Sequence, residues 1–314
     1  MKNFHDDPRI GRYADVLMDR QFKRTFGSDK NKRLTELLLQ ALIPEHCIES
    51  IEFVSPEHVN PFPAGKDARI DVECTDVDGT RFVVEMQLAR QDAFYERAIF
   101  NSTFAVQQQV LRGAGHRYDF PPVYFIGILN FSMHRDSDQV LWRYNFREDA
   151  SGELMSNKLQ FLFLELPNCT NALTDKASEL DKLCYTLRNM KTMQKAPENF
   201  DTEIISLLLK SSETITFEEE YKEKYISDMT TKEDIENQIR YARKEGQQAG
   251  REQGKAEGRE EGMAAGIERG KAEGIAEGIE QEKLASARKM KALGLETGVI
   301  CEVTGLSPEQ VAAL

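Results

Sequence analysis

Paired cysteines are missing from this chain. Its five, Cys47, Cys74, Cys169, Cys184 and Cys301, lie far apart with no CxxC motif, which excludes a zinc framework and a disulfide scaffold. Long apolar runs are missing too. The longest, VYFIGILNF at residues 123–131, is far short of the ~20 residues that span a bilayer. No apolar stretch occurs in the opening MKNFHDDPRIGRYADVLMDRQF, so no secretory signal is read there. The expectation is a cytoplasmic protein with reduced thiols and no membrane partner. Excess positive charge is also lacking. The formal charge is −12, which at first sight argues against a polyanionic partner.

What is present is unevenly distributed. Residues 1–130 carry 16 Lys and Arg against 19 Asp and Glu, so this part is close to neutral. Within it Arg20, Lys23, Arg24, Lys30, Lys32 and Arg33 cluster. Such a cluster reads either as a phosphate-binding patch or as a solvated helix face. Hydrophobic content of 40% and charged content of 30% imply a real core plus a polar, helical remainder.

NKRLTELLLQALI at 31–43 has helical apolar spacing and is closed by Pro44. IESIEFVSPE reads as a short strand, and HVNPFPAGKDA as a loop. Residues 92–112 read as a long helix. VYFIGILNF and LQFLFLEL (159–166) have the near-continuous apolar character of strands buried on both faces. The order helix, strand, hairpin, helix, strand, strand implies a mixed sheet with helices packed on it. Residues 170–240 read as polar and helical, with amphipathic patches such as DTEIISLLLK.

The hairpin RIDVECTDVDGTRFVVEMQ (69–87) places carboxylates on largely apolar strands. A two-residue Asp78-Gly79 turn would make every cross-strand pair mix apolar with polar. A three-residue loop, Val77-Asp78-Gly79 with Gly79 left-handed, shifts the register by one. Cys74 then meets Phe82, Val72 meets Val84 and Ile70 meets Met86 on one apolar face. Asp71 meets Glu85, Glu73 meets Val83 and Arg69 meets Gln87 on the other. Facial consistency selects this second register. Adjacent carboxylates repel, the more so when buried, unless a shared proton or a hard cation such as Mg²⁺ compensates. An exposed hairpin with solvated acids is the other reading.

An acid on one strand, a turn, then Glu-x-Gln on the next resembles the PD-(D/E)XK nuclease signature, in which Glu-x-Lys is the usual second element. The resemblance is to the bacterial recombination-promoting nuclease and transposase branch. It runs from FKRTFGSDKNKRLTELLLQALI through ERAIFNSTFAVQQQVLRGAGHRYDFPPVYFIGILNF, and the glycine-periodic helix and VTGLSPE tail share it. It implies an α/β restriction-endonuclease-like core, a mixed sheet flanked by helices over roughly 15–167, with a long C-terminal glycine-repeat helix. It also implies a Mg²⁺-dependent DNA endonuclease of little sequence specificity, linked to recombination or mobile elements. A non-catalytic DNA-binding or assembly protein and a strand-transferring transposase are the alternatives. By the resemblance, Asp71 and Glu85 are metal ligands and Gln87 stands where most relatives have Lys. Glu36 matches an acid often added to the site. Arg97, with Lys23, Arg24 and Lys32, would hold DNA phosphates. Arg97, Asn101, Phe104 and Gln108 share one helix face, and relatives more often carry Tyr at the positions of Asn101 and Phe104. His116 and His134 have no acidic partner at a telling spacing and read as loop residues.

From Gly246 to Gly278 a glycine recurs every fourth residue, among strong helix formers. Each costs roughly 1 kcal/mol against Ala in a helix, and the stripe drifts about 40° per repeat. This segment is either a marginal helix ordered by self-association, giving a homo-oligomer such as a dimer, or a solvated spacer. The tail reads as helix, glycine turn, helix, glycine turn, helix, with Ser307 as N-cap and Pro308 at the first helical position. From Glu296 onward it has no Lys or Arg, which suits packing or oligomerisation better than DNA reading. The expected divisions are a nuclease domain at 1–167, a helical region at 168–240, the glycine helix at 241–292 and a small helical tail at 293–314.

Overall fold

The computed structural model describes residues 4–55, 57–58, 68–110, 119–134, 136–170, 172–174 and 176–314. His116 lies outside the described residues. Two compact units are present, Met1–Glu233 and Asp234–Leu314.

The first unit opens with helices α1 (Asp19–Phe26) and α2 (Lys32–Leu42). Strands β1 (Ile51–Phe53), β2 (Glu57–His58), β3 (Ala68–Arg69), β4 (Val72–Asp76) and β5 (Arg81–Gln87) follow. Helix α3 (Phe94–Gln109) crosses to β6 (Val123–Leu129), and β7 (Leu141–Arg147) and β8 (Leu154–Glu165) complete the strands. Six strands form one mixed sheet in the order β1-β4-β5-β6-β8-β7, while β2 and β3 pair separately. The β5, β6 and β8 strands run parallel and the other pairings are antiparallel. Helices α4 (Glu179–Asn189) and α5 (Glu203–Ser211) come next, then α6 (Glu219–Ala292).

Burial on two faces follows from the pattern. All seven residues of β6 are buried. Even-numbered side chains, Phe82, Val84, Ile126, Ile128, Leu162 and Leu164, join Leu34, Leu38, Leu39 and Leu42 of α2 with Leu183 and Leu187 of α4 and Ile204 and Leu208 of α5. Odd-numbered ones, Val83, Phe125, Leu129, Phe161 and Phe163, pack beneath Phe94, Ala98 and Ala105 of α3. The start of α6 is tied to the N-terminal segment through Phe217, Tyr221 and Tyr225 against Phe4, Ala14 and Met18.

The hairpin takes the three-residue loop. Val72 pairs with Val84, Glu73 with Val83 and Cys74 with Phe82. Gly79 has φ 81°, and Asp76 Oδ1 accepts from the Asp78 and Thr80 amides at 3.0 and 2.9 Å. Two pairings at the open end differ from the sequence reading. Ile70 does not face Met86; it is buried on the α3 side with Val83. Arg69 pairs with Glu57 in the small sheet rather than with Gln87. The cause is a break at residues 70–71, where the chain leaves the two-stranded ribbon and the side-chain alternation restarts.

Strand β7 was not anticipated, although Trp142, Tyr144 and Phe146 alternate with Arg143, Asn145 and Arg147 as a period of two demands.

In the second unit, α7 (Thr297–Thr304) and α8 (Pro308–Ala312) fold against the end of α6 around Ala287, Ile300, Leu306 and Val311. Ser307 caps α8, accepting from the Gln310 amide while Gln310 reaches back to the Ser307 amide. A Cβ added at any of the nine periodic glycines would meet nothing within 4 Å. Among the described residues, no helix is long and apolar enough to cross a membrane.

Candidate active site

Asp71 lies one residue before β4, outside the ladder, and its Oδ2 accepts from the Met86 amide at 2.8 Å. The carboxylate takes the N–H that a longer strand would bond through a carbonyl. Its Oδ1 lies 3.3 Å from Lys23 Nζ on α1. Lys23 also reaches Asp19, one helical turn earlier, at 2.9 Å.

Glu85 is central on β5 and 3% exposed. Asn101 Nδ2 on α3 donates to its Oε1, and Arg97 Nη2 stands 3.9 Å from its Oε2. The expected α3 face therefore lies over β5, with Phe104 buried and Gln108 accepting from Arg81 at 2.6 Å. Phe94 comes close to the sheet because its neighbour at Glu85's β6 partner position is Gly127. A Cβ there would stand 2.9 Å from Phe163 and 3.3 Å from Phe94.

Both acids are disfavoured as anions. Burial drives Asp71 up to about 6, against the opposing Met86 amide and Lys23. Burial drives Glu85 up to about 7, against the Asn101 hydrogen bond, and the Asp71 charge adds to the rise. An acid whose charge makes a second one costlier to ionise is its electrostatic neighbour, as Asp71 is for Glu85; the like charge that bears on Asp71 itself is Asp19. For Lys23 burial pulls downward, but Asp19 and Asp71 outweigh it and the net shift is upward. The ammonium stays charged at neutral pH.

Arg97 Nη1 donates to Gln91. Its Nε and Nη2 are buried with no hydrogen-bond partner. A guanidinium edge left bare beside a carboxylate is one an anion can complete, since a buried donor without an acceptor is costly.

The remaining expected residues have the following surroundings. Gln87 ends β5, half-buried, and its carbonyl accepts from Asn130. Glu36 is buried on α2, and its ion pair is with Arg33 at 3.5 Å. Arg24 stacks over Tyr221 at 4.2 Å, which occupies the guanidinium face and not its N–H edge. Lys32 is half-buried at the start of α2.

His134 is more than a loop residue. Its Nδ1 lies 2.6 Å from Glu165 Oε1 and its Nε2 lies 2.8 Å from the Tyr144 hydroxyl. The partners are 31 and 10 residues away, a separation no local pattern reveals.

Among the described residues no three His, Cys, Asp or Glu side chains gather as a metal-holding group. The Asp71 and Glu85 pair nonetheless fits a hard divalent cation, which takes one or two carboxylates and fills its remaining positions with water. Both are acids that a nearby positive charge would relieve.

No curated protein gives a significant match to the chain. The family model described as PD-(D/E)XK nuclease family transposase matches residues 16–242, a span that contains the mixed sheet, both acids and α3. On that match and this mixed sheet with its flanking helices, the chain belongs to the PD-(D/E)XK nuclease family transposases.

Proposed function

We propose that the protein is a Mg²⁺-dependent endonuclease that hydrolyses DNA phosphodiesters with little sequence preference, within recombination or mobile-element processes in the cytoplasm. The observation that carries this reading is the buried Glu85 and half-buried Asp71 beside a guanidinium whose Nε and Nη2 have no hydrogen-bond partner among the described residues. An acidic pair and a bare cationic edge side by side suit a metal and a phosphate respectively.

Asp71 and Glu85 would hold the cation. When bound, it supplies Lewis acidity and lowers the pKa of a coordinated water. The chain's own residues do the rest. Arg97 receives the phosphate oxygens through its planar fork. Asn101 fixes the Glu85 carboxylate, and the Met86 amide fixes Asp71. Gln87 orients water through its amide but brings no charge. Lys23, against Asp71, supplies the positive charge that Gln87 lacks, a role beyond the phosphate contact expected of it. Phosphate contacts carry no base information, which is the reason for weak sequence preference.

Self-association belongs to the same proposal. No described residue packs on the α6 glycines, so their close-approach surface is open to a second helix, which would pair two nuclease domains to cut both strands. Sedimentation of the full chain against a Gly262→Leu, Gly266→Leu variant tests this. An unchanged monomeric state in both would refute it.

The test of the catalytic reading is supercoiled plasmid incubated with purified protein in Mg²⁺ or EDTA. Nicking is expected only with Mg²⁺ and is lost in Asp71→Asn and Glu85→Gln. Equal nicking in EDTA, or by both variants, removes the assignment. The transposase description of the family favours strand transfer as the second reading, and joining of pre-cut ends to plasmid would select it.

A further inference from the structure

One cluster on the α3 face takes no part in that chemistry. Glu165 closes β8 at 0% exposure. His134 Nδ1 pairs with it at 2.6 Å, and Asn168 Nδ2 donates to its other oxygen at 2.9 Å. The His134 ring stacks on Trp142 with centroids 3.7 Å apart and planes 18° apart. Beyond Nε2 stands Tyr144, which in turn meets Tyr95 with ring centroids 6.1 Å apart. An acid, an imidazole and a hydroxyl in series resemble a nucleophilic relay. The phenol argues otherwise, because burial first and Tyr95 second push it upward and keep it protonated.

What the network does is hold rings still. A fully buried carboxylate is retained only with matched donors, and here those donors anchor the loop bearing His134. Tyr95, on the first turn of α3, remains 39% exposed, and Trp142 is partly exposed. Rigid aromatic faces open to solvent are what single-strand binders stack bases on.

The position is informative. Gln87 pairs with Leu129, and Leu129 with Glu165. The cluster therefore shares the sheet face and strand end of Glu85, which lies two strands across and two residues back, about 12 Å away. Tyr95 is two residues before Arg97 on the same helix, about 200° round it, so the two side chains leave α3 on opposite sides, Arg97 toward Glu85 and Tyr95 toward Tyr144. The flanking loop carries exposed Asp136 and Asp138, which repel phosphates but not the uncharged face of a base.

We propose that Tyr95 and Trp142, held by the Glu165–His134–Tyr144 network, form a stacking subsite for one unpaired nucleobase of the strand whose phosphate Arg97 receives. This rests on the nuclease reading and deepens it. In an intact duplex only base edges are offered, in the grooves. The preferred substrate is therefore DNA that is single-stranded or opened at the cut.

Trp142 is the only tryptophan in the chain, so its emission reports on this wall alone. The full-length protein is titrated in Ca²⁺ with a fluorescein-labelled oligothymidylate, the same strand with abasic positions, and a blunt duplex. Anisotropy and tryptophan emission are read together. The expected result is an emission change with oligothymidylate and none with the abasic strand or the duplex. Tyr95→Ala weakens oligothymidylate binding roughly tenfold or more, while Tyr95→Phe, which keeps the ring, binds like wild type. Trp142→Phe keeps the affinity and loses the signal. Binding by anisotropy with unchanged Trp142 emission, or an equal response to the abasic strand, overturns the subsite and leaves the nuclease reading standing. No anisotropy change with any of the DNAs overturns both.

Discussion

Replacing Glu85 with Gln should stabilise the metal-free protein while destroying its activity. The folded-state value of this acid, about 7 against an ordinary 4.5, means that the fold holds it more readily protonated than the unfolded chain does. The difference is worth about 3 kcal/mol, and the side chain is 4% exposed, so solvent screening takes little from it. The sign follows from the upward shift. Below about 4.5 the acid is protonated in both states and no penalty exists. Stability then falls by about 1.4 kcal/mol per pH unit as the unfolded chain ionises first, until the folded group ionises too near 7. Gln at 85 keeps an acceptor for Asn101 and removes that slope. Thermal melts in EDTA from pH 4 to pH 8 are the assay. Wild type and variant should nearly coincide at pH 4, differ by about 2–3 °C at pH 5 and separate by roughly 6–12 °C at pH 8, the variant higher. Added Mg²⁺ at pH 8 should raise the wild type and leave the variant unmoved. Parallel curves across the range, or a variant that melts lower at pH 8 in EDTA, would refute the reasoning.

Three further outcomes are expected. Lys23→Ala should lower plasmid nicking roughly 10²-fold, and Gln87→Lys added to it should recover part of the loss; no recovery would place Lys23 outside the charge-supplying role. Arg97→Lys should lose nearly as much activity as Arg97→Ala, because an ammonium cannot present two parallel N–H groups to a phosphate; full activity in Arg97→Lys would argue for a point charge alone. In a peptide covering residues 241–292, each Gly→Ala change should favour helix by about 1 kcal/mol, read as ellipticity at 222 nm; an unchanged signal would mean that the segment is already fully helical or does not fold as one.

Legibility in the sequence followed the range of the interaction. The β4–β5 pairing from Val72–Val84 to Cys74–Phe82 was readable because only one register sorts apolar from charged side chains across a local turn. The α3 face carrying Arg97 and Asn101 was readable from helical periodicity. The failure at Ile70 came from the small ribbon of β2 and β3, whose pairing interrupts the alternation and has no local signature. Lys23 meeting Asp71, and Glu165 meeting His134, depend on elements brought together only by the tertiary fold. Charge clustering marked Lys23 as basic but could not show that its neighbour would be an acid of the site. Strand β7 carries a period-two alternation in LWRYNFR that is weaker than the apolar runs on either side.

On the proposed nuclease reading, Asp71 and Glu85 would not be lost on the same schedule in a descendant that no longer cleaves DNA. The aspartate closes an amide at the margin of the sheet, so drift there damages folding whether or not anything is cleaved. The glutamate gives the empty protein an acceptor for Asn101, which an uncharged amide supplies as well, together with the cost of a buried charge. Relatives that have abandoned catalysis should accordingly replace the glutamate first and keep an acceptor in the aspartate's place, so that the glutamate, not the aspartate, tells a working copy from a retired one.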